Sequence, residues 1–155
     1  MGSTYHSVRI HVVFACKDRR PLITPEIKAE LYKYIHGVCD KRGCKLIEGG
    51  GVADHVHLLI GLSMTKSIAD LLRDIKTNTS RWIHENWPNQ EFGWQDGYGA
   101  FSVSASLVQR TRDYIRNQEA RHQKQTFDEE LDEILEMHGL KRHPDGSVSQ
   151  IEGTL

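Results

Sequence analysis

Two histidines flank one valine at His55-Val56-His57, inside the stretch ADHVHLLIG (Ala53–Gly61). Imidazole nitrogens bind divalent cations. Side chains alternate across a strand, so residues two apart project from one face, with backbones roughly 7 Å apart. Two imidazoles so placed can converge on one ion. The plainer alternative is a pair of solvent-facing or hydrogen-bonding histidines, and His-x-His by itself does not choose. A second stretch, TRDYIRNQEARH (Thr111–His122), adds chemistry. Tyr114 and Gln118 are four residues apart, hence one turn apart on one helix face, and His122 continues that face. A tyrosine beside an amide ligand, aimed at a two-histidine site, is what phosphodiester transesterification requires. A cation draws charge from a non-bridging phosphate oxygen. The phenol oxygen attacks phosphorus and holds it as a covalent ester. Taken singly, Tyr114 reads as a half-buried aromatic and Gln118 as a solvated helix residue.

These residues need elements to position them. Tyr5–Ala15 alternates, with Val8, Ile10, Val12 and Phe14 on one face and Arg9, His11 and Val13 on the other, the pattern of a strand. Thr24 and Pro25 open a helix running to about Arg42, closed by Gly43. Cys44–Val52 and His55–Gly61 read as two strands of a hairpin. Val56, Leu58 and Ile60 then face the core, opposite His55 and His57. Ser67 caps the clearest helix, in which Ile68, Leu71, Leu72, Ile75, Thr79, Trp82 and Ile83 keep a helical period until Pro88 stops it. Ala100–Ser104 reads as a short fourth strand, Ser106–Arg121 as a third helix and Phe127–His138 as an acidic amphipathic helix that packs on the body. The first six elements, β-α-β-β-α-β, have the split βαβ order of an α+β, ferredoxin-like fold: an antiparallel sheet with helices on one face, here followed by C-terminal helices. The other sheet face is left to present polar groups. We expect one domain over residues 1–138, including the acidic helix 127–138, and a polar, mobile tail over 139–155.

The bulk numbers bound the class. A chain of 155 residues, 38% hydrophobic and 26% charged, suits a globular domain with a real core. No apolar run approaches the roughly 20 residues that cross a bilayer, and no signal segment opens the chain. Cys16, Cys39 and Cys44 are odd in number and form no CxxC pair, which fits a reduced cytoplasm and argues against a structural zinc site. The net charge of −1 hides an asymmetry. Residues 1–126 carry 18 Lys+Arg against 13 Asp+Glu, and residues 127–155 carry 2 against 8. A mildly basic body with an acidic end is compatible with a phosphate backbone as partner.

Four pieces, FACKDRRPLI, GGGVADHVHLLIGL, WQDGYGAFSVS and YIRNQEARHQKQTF, occur in this order between about Ser7 and Leu135. In these the chain resembles the single-tyrosine HUH transposases of bacterial insertion sequences, the TnpA family, and their REP-associated relatives. HUH denotes His-hydrophobic-His, here His55-Val56-His57. The resemblance implies a ferredoxin-like dimeric nuclease-ligase acting on single-stranded DNA with Mg²⁺ or Mn²⁺. It implies Tyr114 as nucleophile and His55, His57 and Gln118 as metal ligands. Cleavage would leave a 5′-phosphotyrosine and a free 3′-OH at hairpin-bearing element ends. It implies a homodimer in which the tyrosine helix can complete the partner's site, with Asp96–Gly99 as a flexible joint and the AFSVS strand pairing across the dimer. His122 is open between backing the metal site, moving a proton and touching a phosphate. For His11, structural hydrogen bonding is the expectation.

For DNA, Lys17, Arg19 and Arg20 crowd one loop, and Arg73, Lys76 and Arg81 are placed on the exposed side of the second helix. Such groups position a backbone without reading sequence. Trp94 and Tyr98 could stack bases, whereas Trp82 and Trp87 read as packing residues. Two other functions stay open: a catalytically inactive RRM-like nucleic-acid binding module, and a host-retained HUH nuclease cutting repeated hairpins. Ferredoxin-like sheets serve binding modules too, so fold alone cannot choose. The stacking aromatics of an RRM sheet are missing, however, and the His-x-His face stands in their place.

Overall fold

Alternation over Arg9–Ala15 builds strand β1, and each helix that follows starts on the cap its sequence offers. Thr24 Oγ1 accepts from the Ile27 amide at 3.3 Å and Pro25 takes the first turn of α1 (Pro25–Asp40). Gly43, at φ +70°, turns the chain after it. Ser67 Oγ accepts from the Asp70 amide at 3.1 Å and opens α2 (Ile68–Asn86). Between the helices lie β2 (Lys45–Val52) and β3 (His55–Gly61), and after α2 come β4 (Gly99–Ser102) and α3 (Val108–Arg116). These coordinates are a computed structural model. It describes residues 2–151; Met1 and residues 152–155, the end of the expected tail, lie outside the described residues. The chain divides into two compact units, Met1–Gln118 and Glu119–Leu155.

In the first unit the four strands form one antiparallel sheet in the order β2-β3-β1-β4. This is the ferredoxin-like arrangement expected from the element order. Ile10, Val12 and Phe14 of β1, Val56, Leu58 and Ile60 of β3, and Leu46 of β2 meet Ile27, Leu31, Ile35 and Val38 of α1 and Leu71, Leu72, Ile75 and Ile83 of α2 in one buried cluster. Each large side chain so buried contributes about 1.5–3 kcal/mol. Stacking of Tyr34 on Trp82, with ring centroids 4.7 Å apart, extends that layer. The cluster fixes which face of β3 is inward, because a slip of one residue would exchange its two faces.

Two elements differ from the sequence reading. The helix expected over Ser106–Arg121 is broken: a 3-10 turn (Ala105–Leu107) leads into α3, Asn117 leaves helical geometry at φ −95°, ψ 19°, and a short helix α4 begins at Gln118 and ends at His122. Asn is a poor helix-interior residue because its amide competes for backbone hydrogen bonds.

The second difference lies in the second unit. It contains α5 (Phe127–Met137), capped by Thr126, and residues 140–150, read above as tail, form a hairpin of β5 (Leu140–Arg142) and β6 (Val148–Gln150). Gly139 and Gly146, both at positive φ, supply the turns before and within it. Arg142 ties the hairpin to α5 by reaching Asp128 at 3.1 Å and Asp132 at 3.0 Å. Asp128 and Asp132, four residues apart, therefore share one face of α5 and have an internal partner for their charge.

Candidate active site

The face of the sheet away from α1 and α2 carries the histidines. Residues directly opposite across antiparallel strands share a face. His57 stands opposite Val13 of β1 and Gly50 of β2, and His11 stands opposite Leu59 of β3 and Phe101 of β4. His55 and His57 therefore project with His11 into one polar patch, and all three are buried.

Each motif imidazole is oriented by a neighbour. His57 Nδ1 lies 2.8 Å from His11 Nε2. His55 Nδ1 lies 2.7 Å from a carboxylate oxygen of Asp54. With Nδ1 engaged in both rings, the nitrogen each presents to a ligand is Nε2, and for His55 that atom sits 3.3 Å from Gln118 Oε1. A partner on the far ring nitrogen fixes the tautomer and raises the basicity of a ligating histidine. Two imidazole nitrogens and an amide oxygen make a mixed N,N,O donor set that fits Mn²⁺ readily and Mg²⁺ with water completing its shell.

Helix α3 brings Tyr114 to the same patch. Its ring centroid lies 5.6 Å from that of His57 and 5.9 Å from that of His11, both edge-on. Although the helix ends at Arg116, Gln118 keeps the side that Tyr114 faces, so the pairing inferred from an unbroken helix survives the break. What lets α3 come so close is glycine. A Cβ on Gly50 would lie 2.8 Å from the Ile115 carbonyl oxygen and 3.1 Å from its Cγ2. Ile115 is the buried side chain of α3, and it lies on bare β2 backbone. Gly49, one residue earlier, faces the other way, and there a Cβ would lie 2.6 Å from the ring of Tyr32 in α1. The glycine run thus lets one helix ring and one helix backbone approach β2 from opposite sides.

Three buried candidates, Tyr32, Cys16 and Cys39, are disfavoured as nucleophiles. Burial pushes the Tyr32 phenol well above its ordinary range. It likewise pushes the Cys16 and Cys39 thiols up to about 12. Each would have to ionise against that desolvation before attacking phosphorus.

The expected phosphate contacts are differently placed. Arg20 is held by both oxygens of Glu91, at 2.5 and 2.9 Å. Arg73 pairs with Asp70 at 3.3 Å, and Arg81 donates to Asn78 at 2.5 Å. Lys76 is not on an open helix face. Its ammonium donates to the carbonyl oxygens of Gln95 and Gly97 at 2.6 and 2.9 Å, and desolvation lowers its pKa. It pins the loop read above as a flexible joint. Lys17 and Arg19 are exposed on their loop. Trp94 packs edge-on to Phe14 with its Nε1 donating to Thr79 at 2.9 Å, so it is a packing residue rather than a stacking platform. Tyr98 is exposed. His122 belongs to the second unit, where Nδ1 meets the Gln125 carbonyl oxygen at 2.8 Å and Nε2 meets Glu130 at 3.1 Å.

Sequence reasoning missed Asp54 as the partner of His55, and Glu48, which Arg112 reaches at 3.4 Å and Arg116 at 2.6 Å. The signals were present: an acid immediately before the motif, and two arginines at i,i+4 flanking the tyrosine.

Residues 4–118 match the family model described as IS200-like transposase. The chain belongs to the IS200-like transposase family. As a family member it is a transposase, an enzyme that processes DNA. The match ends at Gln118, where the first unit ends. The transposase of insertion sequence IS200 from Salmonella typhimurium is 25% identical over 125 residues, covering 76% of this chain and 81% of that one. The ISDra2 transposase TnpA of Deinococcus radiodurans is 22% identical over 119 residues, covering 73% and 85%. Among solved structures, a transposase from Deinococcus radiodurans superposes with a TM-score of 0.61 at 23% identity, over 76% of this chain and 96% of that one. A REP-associated tyrosine transposase bound to a REP hairpin superposes with a TM-score of 0.60 at 15% identity, over 79% and 73%. Both solved structures share the fold described above. No helix among the described residues is long and apolar enough to cross a membrane.

Proposed function

We propose that this transposase is a single-tyrosine HUH enzyme that cuts and rejoins single-stranded DNA at hairpin-bearing element ends. The observation that carries the reading is the edge-on placement of Tyr114 against His57 in one chain, with Gln118 Oε1 3.3 Å from His55 Nε2. His55, His57 and Gln118 are the residues that would hold Mg²⁺ or Mn²⁺. The bound cation supplies charge stabilisation to a non-bridging phosphate oxygen. Asp54 and His11 orient the two imidazoles through their Nδ1 atoms. The Tyr114 oxygen attacks phosphorus, giving up its proton. A tyrosine O–P bond forms as the bond to the 3′ oxygen breaks, and that oxygen leaves as a 3′-OH after taking a proton. The products are a 5′-phosphotyrosine and a free 3′ end. Rejoining is the reverse exchange by the same or another 3′-OH, so no external energy source is consumed.

The IS200-like family membership supports this reading, and a similar fold binds a REP hairpin in its own structure. We read the working form as a homodimer. In support, β4 is a short strand at the sheet edge, a position open to pairing with another chain. Lys17, on its exposed loop, is the basic residue we assign first to backbone contacts. Arg19, Arg20, Arg73, Lys76 and Arg81 would join it by exchanging the partners they have.

The test uses labelled single-stranded oligonucleotides tiled across the hairpins flanking the protein's own gene, with Mn²⁺ or Mg²⁺. A covalent protein–DNA adduct that needs the cation and disappears in Tyr114→Phe supports the enzyme. Tight binding with no adduct at any tile would return the chain to a binding module.

A further inference from the structure

Helix α3 is thinly anchored. Among its nine residues only Ile115 is buried, and a Cβ on Gly50 would meet its Cγ2 at 3.1 Å. Each of the helices α1 and α2 buries five side chains. The Tyr114 ring adds edge-on contacts to His57 and His11, and charge adds a further hold. The carboxylate of Glu48 on β2 receives Arg116 Nε at 2.6 Å and Arg112 Nε at 3.4 Å. The two arginines are one turn apart on α3, on the side of the helix away from Tyr114. A bulge between Leu46 and Glu48 sets this up. It takes Ile47 out of register, so Leu46 stays with Ile60 on the core face and Glu48 comes opposite Leu59, on the face of His57 and His11. The Glu48 side chain is 17% exposed while that of Arg116 is 52% exposed, so the pairing is partly open to solvent and responds to salt.

From this geometry we propose that Glu48 is a positioning residue for Tyr114, holding α3 on the sheet through Arg112 and Arg116. The proposal rests on Tyr114 being the nucleophile. Gly50 sets how closely α3 can approach. Ile115 and the Tyr114 ring set contacts on one side of the helix. The two arginines on a single acceptor hold the other side and fix its rotation. Loss of the Glu48 charge leaves two guanidinium groups facing each other with their shared acceptor gone. The phenol then wanders from the imidazole patch while the sheet and its core stay folded. A displacement of about 1 Å in a reacting group can cost about a hundredfold in rate.

The test compares full-length wild type, Glu48→Gln and Glu48→Asp by two measurements. Amide hydrogen exchange without DNA reads the docking of α3. Single-turnover adduct formation at saturating oligonucleotide reads the reaction. In Glu48→Gln, exchange over residues 108–116 should quicken about tenfold or more while β1 and β3 keep their protection. Adduct formation should slow by about ten- to a hundredfold, with oligonucleotide affinity and thermal midpoint near those of wild type. Glu48→Asp, which keeps the charge on a shorter arm, should fall between. Raising salt from about 0.05 to about 0.5 M should loosen α3 in wild type and change Glu48→Gln little. Equal adduct rates in wild type and Glu48→Gln would overturn the proposal. So would faster exchange spread across the whole sheet, which is the mark of a general structural role. If wild type forms no adduct with any tile, the reading of Tyr114 as nucleophile falls, and the exchange arm still decides whether Glu48 holds the helix.

Discussion

Toward α1 and α2 the sheet presents Ile10, Val12, Phe14, Val56, Leu58 and Ile60 to a continuous apolar layer. Toward α3 the same strands present His11, His55, His57, Glu48 and a bare glycine. One strand, β3, serves both faces with alternate residues. The first face is held by area, a non-directional force that tolerates small shifts. The second buries Val13, Leu59 and Phe101 and adds a set of directional contacts: His11 to His57, Asp54 to His55, Gln118 to His55, and Arg112 and Arg116 to Glu48. Such contacts add little stability, yet they fix where atoms sit. The core face therefore supplies the rigidity against which the polar face is aligned, and damage to the two should look different in experiment.

The strongest way to separate them is a pair of neighbours on β3. Leu58→Ala should lower unfolding free energy by about 2–5 kcal/mol in denaturant titration, while any protein still folded should retain adduct chemistry. His57→Ala should leave stability within about 1 kcal/mol and reduce adduct formation on the order of a thousandfold, because a proposed cation ligand is lost. If His57→Ala unfolds the chain as badly as Leu58→Ala, the two faces do not divide the work.

A second pair lies on β2. A Cβ on Gly51 would run into the His55 backbone carbonyl and lie 3.0 Å from Tyr32 Oη, so Gly51→Ala should disturb the hairpin and cost a few kcal/mol of stability in a thermal melt. Gly50→Ala should instead lift α3 off the strand. Adduct yield should drop about tenfold or more, with the melting midpoint moving by only about 2–4 °C. Reversal of the two phenotypes would mean that α3, not α1, is the structural partner of β2.

On the polar face alone, Asp54→Asn should weaken Mn²⁺ binding by about ten- to a hundredfold in calorimetry, since His55 loses the carboxylate that orients it. An unchanged affinity would place the cation elsewhere. The smallest effect belongs beside the core, where Asp74 of α2 accepts from Arg42 Nε at 2.6 Å and its pKa is lowered, first by that hydrogen bond. A carboxyl depressed in the folded state stabilises above its unfolded pKa and loses that contribution as pH falls through the folded one. Asp74→Asn should therefore cost about 1 kcal/mol at pH 7. The difference from wild type should shrink once pH drops below the usual carboxylate range, and a gap independent of pH would contradict the ion pair.

Much of this contrast was legible in the chain. Alternation placed Val56, Leu58 and Ile60 opposite His55 and His57, because strand geometry leaves no other option. The four-residue spacing put Tyr114 and Gln118 on one side even though Asn117 interrupts the helix. Contacts made at long range were not legible. Lys76 was read as an exposed cation because its helical phase faces outward, yet it is consumed by carbonyl groups some twenty residues on. Trp94 looked like a stacking platform and is a packing residue, since nothing local announces Phe14 or Thr79 as neighbours. The hairpin over residues 140–150 was hidden by polar composition; its strands are three residues each, too short to show a period. Arg112 and Arg116 hinted at an acidic partner, but the face on which Glu48 lies depends on the bulge before it, which no local pattern announces.

The central claim, that the polar face is built to make a tyrosine–phosphate bond, is tested most directly by mapping the adduct. Wild-type protein is incubated with the hairpin-bearing single strand and Mn²⁺, digested with trypsin and nuclease, and sequenced by mass spectrometry. We expect a nucleotide joined through its 5′ phosphate to the phenol of the short peptide Asp113–Arg116, which contains Tyr114 alone among tyrosines. Attachment to any other side chain, or DNA cleavage with no covalent intermediate at all, would contradict the account.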